Sequence, residues 1–268
     1  MNTAGSAIAV AQFAPTADPA ANLESMRELV ERASARGATL VVFPEYSSYF
    51  EPQLSRGFVD AAEPVDGPFV TGLAAIAARS RVHIVAGLVE STTDAARFSN
   101  TLVALSPEGE LLATYRKMHL YDAFGARESD WVVAGDLVAP QTFAWAGFTV
   151  GLQTCYDIRF PEVTRRIVDA GADLVAVPAE WVRGPLKEHH WRTLVTARAI
   201  ENTIYVAAAD QAPPVGAGNS MVVDPMGVEI ATVGESTDVA VAWVTPDRVT
   251  ETRVINPALE LRRFGVTV

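Results

Sequence analysis

The sequence is poor in cysteine, in basic charge and in long apolar runs, and each shortage excludes a class of protein. Its 268 residues include one cysteine, Cys155, so a disulfide scaffold or a four-cysteine zinc site is excluded and a reducing compartment such as the cytoplasm is expected. Lys and Arg number 21 against 32 Asp and Glu, and the net charge of −11 opposes nucleic-acid binding. No apolar run approaches the ~18 residues of a membrane span.

Several common enzyme motifs are also missing. There is no Gly-x-Ser-x-Gly elbow and no phosphate-binding loop, and the segment Gly216-Ala217-Gly218 lacks the third glycine of a dinucleotide site. The four histidines show no ligand spacing, so neither a metal nor another cofactor is expected. The N-terminal apolar stretch has no basic residue before it, which favours a strand over a signal peptide.

Apolar residues make up 49% of the chain and charged residues 20%, which is typical of a globular protein. The apolar pattern predicts strands over residues 6–13, 39–43, 82–89, 100–105, 111–115, 143–145, 148–153, 174–177, 204–208, 221–223, 228–233 and 239–244, and helices over 19–36, 68–81, 161–170 and 189–202. This order favours an α/β domain, with either a mixed sheet or two packed sheets flanked by helices. We expect one domain over residues 1–254 and a tail over residues 255–268, where no periodicity is visible.

Three residues follow predicted strands and carry groups suited to catalysis. Cys155 lies at a bend between a strand and a helix, where backbone amides favour a thiolate, although a lone cysteine is more often an inert core residue. Glu45 follows a buried strand, where a desolvated carboxylate can act as a base, or it is a surface loop residue. Lys117 follows a hairpin and either stabilises an oxyanion or is solvated.

Taken together, the segments around these residues resemble the three signatures of the nitrilase superfamily of carbon–nitrogen hydrolases. They are FPEY at Glu45, YRKMHLYD at Lys117 and GLQTCYDIRFPE at Cys155, in the family's order and spacing. The resemblance extends almost end to end, through ADLVAVPAEW, ARAIENTIYVAAA and GNSMVVDPMG. It implies a four-layer α-β-β-α sandwich and a homodimer or larger homo-oligomer, with the tail packing at a subunit interface.

The resemblance also implies roles for individual residues. Glu45, Lys117 and Cys155 would be the catalytic base, cation and nucleophile, and Glu128 an auxiliary active-site carboxylate. The remaining candidates are the backbone N–H of Tyr156 as an oxyanion donor, Arg159, Tyr121, Tyr46 and Trp181 as substrate-binding residues, and His119 as a support behind the catalytic residues.

Within the superfamily, the sequence looks like the amidase branch that includes ω-amidases and deaminated glutathione amidases. The expected reaction is hydrolysis of a small carboxylate-bearing amide through a thioester, with release of ammonia. Arg159 would bind the substrate carboxylate because guanidinium groups make bidentate contacts, or it would pair with Asp157 or Glu162. A nitrilase or an N-carbamoyl amide hydrolase with the same triad is the alternative, and a non-catalytic binding protein is a third hypothesis.

Overall fold

The computed structural model describes residues 5–267; residues 1–4 and 268, at the outer ends of the predicted domain and tail, lie outside the described residues. Over this range the chain forms twelve strands: β1 (Ser6–Gln12), β2 (Ala38–Val42), β3 (His83–Glu90), β4 (Ser99–Leu105), β5 (Leu111–Arg116), β6 (Thr142–Trp145), β7 (Phe148–Leu152), β8 (Leu174–Ala179), β9 (Tyr205–Asp210), β10 (Met221–Val223), β11 (Glu229–Thr232) and β12 (Asp238–Val244). The α-helices of the same range are α1 (Pro19–Ala35), α2 (Arg56–Asp60), α3 (Pro68–Ser80), α4 (Pro161–Asp169), α5 (Lys187–Asn202) and α6 (Pro246–Ile255). Glu128–Asp130 and Cys155–Arg159 are 3₁₀ turns.

The strands of residues 5–267 form two six-stranded sheets of mixed direction. The first sheet has the order β12-β1-β2-β3-β4-β5 and the second β11-β10-β9-β8-β7-β6. In each sheet three consecutive strands are parallel, β1 to β3 in the first and β7 to β9 in the second. Parallel neighbours require crossover connections, and these contain α1 and α3 on the first sheet and α4 and α5 on the second.

Alternation of side chains along the strands builds the layers. On β1, Ile8 and Val10 belong to the apolar core between the two sheets, whereas Ala9 belongs to the core that α1 and α3 cover. The same alternation on β8 directs Leu174 between the sheets and Val175 towards α4 and α5. The four-layer α-β-β-α sandwich expected from the resemblance is therefore confirmed.

Helix α1 shows why the predicted elements form where they do. Asp18 caps its N-terminus, since its carboxylate accepts hydrogen bonds from the N–H groups of Ala20 and Ala21 at 3.0 and 3.1 Å, and Pro19 occupies the first helical turn. The buried residues of the helix recur at helical spacing and face the first sheet; they are Asn22, Met26, Leu29, Val30 and Ala33.

The C-terminal region differs from the sequence-based prediction. The sequence pattern predicts no element over residues 246–255, yet they form α6, which Thr245 caps by accepting the Arg248 N–H at 3.2 Å. The helix has no continuous apolar stripe, so periodicity did not reveal it. The tail beyond it packs on its own chain, since Arg262 pairs with Asp169 of α4 at 2.6 Å. A contact of this tail with another subunit stays a prediction.

The fold brings the ends of four strands to one place. Glu45 follows β2, Lys117 follows β5, Cys155 follows β7 and Glu180 follows β8. Ligands of open α/β sheets bind beyond the carboxyl ends of parallel strands, and here two sheets contribute such ends to the same region. No helix of residues 5–267 is long and apolar enough to cross a membrane.

Candidate active site

The turn after β2 holds Glu45 under the neighbouring strand β3. Tyr46 has a φ of 57°, which turns the chain sharply after the glutamate. Gly87 of β3 permits this close approach, because a Cβ at that position would lie 2.4 Å from the backbone nitrogen of Tyr46. Glu45 is 1% exposed, so the local sequence buries a carboxylate beside a strand.

Cys155 occupies a strained position at the start of its 3₁₀ turn. Its φ is 43°, a conformation that non-glycine residues rarely adopt and that often marks functional sites. Asp157 stabilises the turn: its carboxylate accepts the Thr154 N–H at 3.4 Å and the Tyr115 hydroxyl at 2.6 Å. The amide of Tyr156 lies in the first part of this turn, where N–H groups have no acceptor within the helix.

Lys117 joins two buried carboxylates. Its Nζ lies 2.9 Å from Glu45 Oε1 and 2.9 Å from Glu128 Oε2, and the lysine is 2% exposed. Asn100 also contacts both carboxylates, donating to Glu45 Oε1 at 2.5 Å and to Glu128 Oε1 at 3.2 Å. Two carboxylates thus share one ammonium group. Asn100, which donates hydrogen bonds to both carboxylates, is a residue of the site that sequence reasoning missed.

Glu128 lines the cavity and contacts Lys117. The Tyr46 hydroxyl donates to Glu128 Oε1 at 2.7 Å and the Tyr121 backbone N–H donates to Oε2 at 2.5 Å. Burial opposes its ionisation, but the Lys117 ammonium and these donors outweigh burial and hold the pKa of Glu128 below its usual value. Glu128 is therefore ionised at neutral pH.

The pKa values of Cys155 and Lys117 are both raised, which leaves the thiol neutral and the lysine charged. Burial raises the pKa of Cys155 well above its usual value, the charge of Glu45 raises it further, and Lys117 partly offsets both. Burial disfavours the charge of Lys117, but the carboxylates of Glu128 and Glu45 outweigh it and raise the pKa of Lys117. The resting site therefore contains a neutral thiol and an ammonium group.

A cavity of about 570 Å³ opens above these groups. Its lining includes the catalytic candidates Glu45, Lys117, Glu128 and Cys155 and the substrate-binding candidates Tyr46, Tyr121, Arg159 and Trp181. His119 lies elsewhere: its Nδ1 is 2.8 Å from Asp157 Oδ1 and its ring stacks on Phe160. His119 thus contacts the carboxylate that holds the cysteine turn.

Arg159 is available to a ligand. Its guanidinium lies 4.8 Å from the Trp181 ring centroid, and its Nε is buried without a hydrogen-bond partner. Asp157, one of its two predicted alternative partners, is engaged by Tyr115 and His119 instead. Among the described residues no carboxylate lies within 4.0 Å of this guanidinium.

Lys187, which with Arg183 is a further sequence-based candidate for binding the substrate carboxylate, is a second cation of the cavity. Its Nζ contacts the Tyr121 hydroxyl at 2.5 Å and lies 4.0 Å from the Phe124 ring centroid. Burial, and next the charge of Arg159, lowers the pKa of Lys187. Arg183, the other basic residue nearby in sequence, is directed to Glu235 at 2.9 Å and does not line the cavity.

Glu180 is the acidic residue that sequence reasoning missed. Its backbone N–H donates to Glu45 Oε2 at 2.7 Å, and its carbonyl accepts the Cys155 thiol at 3.5 Å. The one available signal was its place directly after a buried strand, the same place that Glu45 has. Among residues 5–267, no group of three His, Cys, Asp or Glu side chains is arranged to hold a metal ion.

Comparisons with known proteins agree with this geometry. A family model described as carbon-nitrogen hydrolase matches residues 7–254. A deaminated glutathione amidase of Escherichia coli O157:H7 is 39% identical over 258 residues, which cover 96% of this chain and 97% of that protein.

Solved structures share the fold as well. The NitFhit protein of C. elegans has a TM-score of 0.88 at 30% identity, over 98% of this chain and 66% of that one. A mutant of the amidase from Nesterenkonia sp. AN1 has a TM-score of 0.78 at 28% identity, over 98% of both chains. In that amidase the acetamide moiety of fluoroacetamide is covalently added at the active-site cysteine.

Proposed function

The chain belongs to the carbon–nitrogen hydrolase family, and from this premise we propose that it is an amidase that cleaves a small carboxylate-bearing amide through a thioester on Cys155. The protein is a hydrolase of carbon–nitrogen bonds other than peptide bonds. The observation that carries the proposal is the ammonium of Lys117, bonded to Glu45 and Glu128 at the base of the cavity that Cys155 lines. The cysteine adduct of the Nesterenkonia amidase supports a covalent route.

The first step is attack of the Cys155 sulfur on the amide carbon. The thiol is neutral at rest, so its proton must leave as the carbon–sulfur bond forms. Glu45 is the base, since its charge acts on the thiol and both groups line the same cavity. Holding the base and the nucleophile together in one site replaces an improbable encounter in solution.

The attack converts the carbonyl oxygen into an oxyanion that needs donors. Lys117 Nζ and the Tyr156 backbone N–H fill this role; removal of one such donor typically costs about 3 kcal/mol of transition-state stabilisation. Glu45 then gives its proton to the amide nitrogen, the carbon–nitrogen bond breaks, and ammonia leaves, or an amine where the amide nitrogen is substituted. A thioester of the acyl group with Cys155 remains.

Water completes the cycle through the same base. Glu45 takes a proton from the water as its oxygen attacks the thioester carbon, and the carbon–sulfur bond breaks. The proton returns to the Cys155 sulfur, which releases the carboxylic acid and restores the thiol. Glu128 remains ionised beside Lys117. Its carboxylate and that of Glu45 together position the Lys117 ammonium, which donates to the oxyanion.

A panel of compounds tests this function directly. We expect release of ammonia or amine from small carboxylate-bearing amides. Deaminated glutathione is included because the Escherichia coli relative bears the name deaminated glutathione amidase, and α-ketoglutaramate is included as a small ω-amide. Matched nitriles and N-carbamoyl acids are expected to be poor substrates. Turnover of nitriles alone, or of N-carbamoyl acids alone, contradicts the amidase proposal.

Arg159 is the proposed anchor of the substrate carboxylate. Replacing it with methionine is expected to raise KM by about 10-fold to 100-fold with a smaller effect on kcat, since hydrogen bonds to charged groups contribute about 1.5–3 kcal/mol. Arg159→Lys should recover only part of this loss, because lysine cannot make a bidentate contact.

Steady-state kinetics on a carboxylate-bearing amide and on its uncharged counterpart provide the measurement. Arg183→Met is the matched control, since Arg183 pairs with Glu235 outside the cavity, and it should leave KM unchanged. An equal rise in KM for both substrates in Arg159→Met would refute a carboxylate contact.

We also propose that the protein is a cytoplasmic homo-oligomer with one catalytic domain through residue 254. The single cysteine suits a reducing compartment. Apolar side chains of α6 and the tail are strongly exposed in the single chain, including Val254 at 78% and Phe264 at 91%, and such groups often lie at subunit interfaces. Sedimentation velocity tests this, and a monomer over a wide range of concentrations contradicts it.

A further inference from the structure

The catalytic base and the nucleophile belong to different sheets. Glu45 follows β2 of the first sheet, whereas Cys155 follows β7 of the second. The distance between their reacting groups therefore depends on how the two sheets are held together beside the cavity. A misplacement of about 1 Å can cost about 10²-fold in rate, so the contacts that join the sheets at this point bear directly on the reaction.

Gln211, which directly follows β9 of the second sheet, reaches across to the catalytic base. Its side-chain Nε2 donates a hydrogen bond to the backbone carbonyl of Glu45 at 3.0 Å, across 166 residues of chain. The side chain is buried, with Gln211 only 1% exposed. A buried amide is costly unless it is hydrogen-bonded, and an apolar side chain would fill the same space without that cost. The bond to Glu45, rather than packing, therefore accounts for an amide at this position.

The carbonyl that Gln211 binds belongs to the peptide that joins Glu45 to Tyr46. The chain turns sharply here, since Tyr46 has a φ of 57°, and the orientation of this peptide sets the direction in which the Glu45 side chain leaves the backbone. The second sheet also binds the carboxylate itself, because the Glu180 N–H donates to Glu45 Oε2 at 2.7 Å. Two contacts from the second sheet thus hold the backbone and the side chain of the same base.

The backbone of Gln211 is itself held on both sides. The Gly218 N–H donates to the Gln211 carbonyl at 3.0 Å, and Gly216 lies so close that a Cβ there would be 2.2 Å from the same oxygen. The next residue, Ala212, donates from its N–H to the carbonyl of Phe13, which follows β1 of the first sheet, at 2.9 Å. A side chain on a backbone fixed in this way can set the place of the group that it binds.

We propose that Gln211 is a positioning residue of the hydrolysis, whose amide holds Glu45 at the distance from Cys155 that proton transfer requires. This inference rests on the proposed function, because it assumes that Glu45 takes the proton of the thiol. Gln211 is not one of the residues that line the cavity, so its effect on the reaction passes through Glu45. Loss of its hydrogen bond should therefore lower kcat and leave KM nearly unchanged.

Gln211→Met tests this, because methionine keeps the length of the side chain but cannot donate a hydrogen bond. We expect kcat to fall by about 10-fold to 100-fold, with KM for the same amide within about 3-fold of the wild-type value. Asn202→Leu is the matched control. Asn202 is also buried and also donates from its side-chain amide to a backbone carbonyl, that of Arg198 at 3.0 Å, but it lies at the end of α5 and does not line the cavity. This control should keep the wild-type kcat.

A second measurement, the rate of iodoacetamide alkylation of Cys155 against pH, separates positioning from general damage. Burial and then the charge of Glu45 raise the pKa of Cys155, while Lys117 lowers it and Glu180 adds to the rise. A Glu45 carboxylate that is no longer held in place should raise this pKa less, so Gln211→Met should lower the pH midpoint of alkylation. In a Glu45→Gln background the same substitution should not move the midpoint, because the charge through which it acts is absent.

Melting temperatures are measured alongside, and Gln211→Asn, whose amide is shorter by one methylene, replaces the methionine variant if that variant does not fold. An unchanged midpoint in the wild-type background, or an equal shift in both backgrounds, overturns the proposal, because general damage to the site does not depend on the Glu45 charge. If Glu45→Gln alone leaves amide turnover unchanged, the proposed function fails. A large loss of turnover in Glu45→Gln beside wild-type behaviour of Gln211→Met contradicts the role of Gln211 alone.

Discussion

Replacing Cys155 with alanine is expected to lower kcat/KM for amide hydrolysis by at least about 10⁴-fold. Nucleophile removal in comparable hydrolases costs 10⁴-fold to 10⁶-fold, because the remaining groups can only assist direct attack by water. The proposed route also requires an acyl group on this sulfur. Intact-protein mass spectrometry of wild type, quenched in acid during turnover, should show one added acyl mass that is absent from Cys155→Ala.

The alanine variant should remain folded, which separates chemistry from stability. The side chain loses one sulfur atom in contact with the apolar core that α4 and α5 cover, so the melting temperature should change by only a few degrees. Unchanged amide turnover in the folded variant would rule out Cys155 as the nucleophile, and an acyl mass on another residue would do the same.

Replacing Glu45 with glutamine is the second large effect, and it should separate turnover from thiol reactivity. Glutamine cannot carry the proton from the thiol to the amide nitrogen, so kcat should fall by at least about 10³-fold, a typical contribution of general acid–base catalysis. The rate of Cys155 alkylation at a given pH below the wild-type midpoint should rise instead of fall. Burial and the Glu45 charge both raise the pKa of Cys155, so removing that charge while Lys117 remains should lower this pKa.

The measurement is the rate of iodoacetamide alkylation against pH, followed by mass spectrometry. The pH midpoint should be lower in Glu45→Gln than in wild type, with more thiolate present at a given pH below the wild-type midpoint. Glu90→Gln is a matched control, since Glu90 is also buried and paired with a cation, Arg116, away from the cavity. A midpoint that rises in Glu45→Gln would show that Glu45 stabilises a resting thiolate, which contradicts the proposed mechanism.

Much of the fold could be predicted because its signals are local. Short apolar runs placed most of the strands within a residue or two, and helical spacing placed α1, α3, α4 and α5. Helices α2 and α6 escaped because neither carries a continuous apolar stripe: in α2 only Phe58 is buried, and in α6 only Val249 and Thr252. Tertiary contacts, rather than periodicity, decide such elements.

Some residues of the site could be predicted from local sequence, whereas others depend on tertiary contacts. Glu45, Lys117 and Cys155 were identified as candidates because each lies in a distinctive segment after a strand, and Glu128 because it lies in a segment similar to the family's. Glu180 follows a strand too, but nothing in its sequence says that its Oε1 is buried without a partner. Whether Arg159 pairs with a carboxylate was likewise undecidable from the sequence, because Asp157 was a plausible partner; in the structure Tyr115 and His119 contact Asp157 instead.

Local pattern and composition were enough to predict most of the elements and to exclude disulfide and nucleic-acid roles, and the resemblance of three segments to a known family marked the candidate triad. The tertiary structure decided which charged side chains lie in contact and how their pKa values shift. Lys117 meets Glu45 across 72 residues of chain, and Glu180 meets Glu45 across 135. Protonation depends on burial and on charges brought close by folding, so the neutral thiol of Cys155 and the raised pKa of Glu180 are properties of the folded molecule alone.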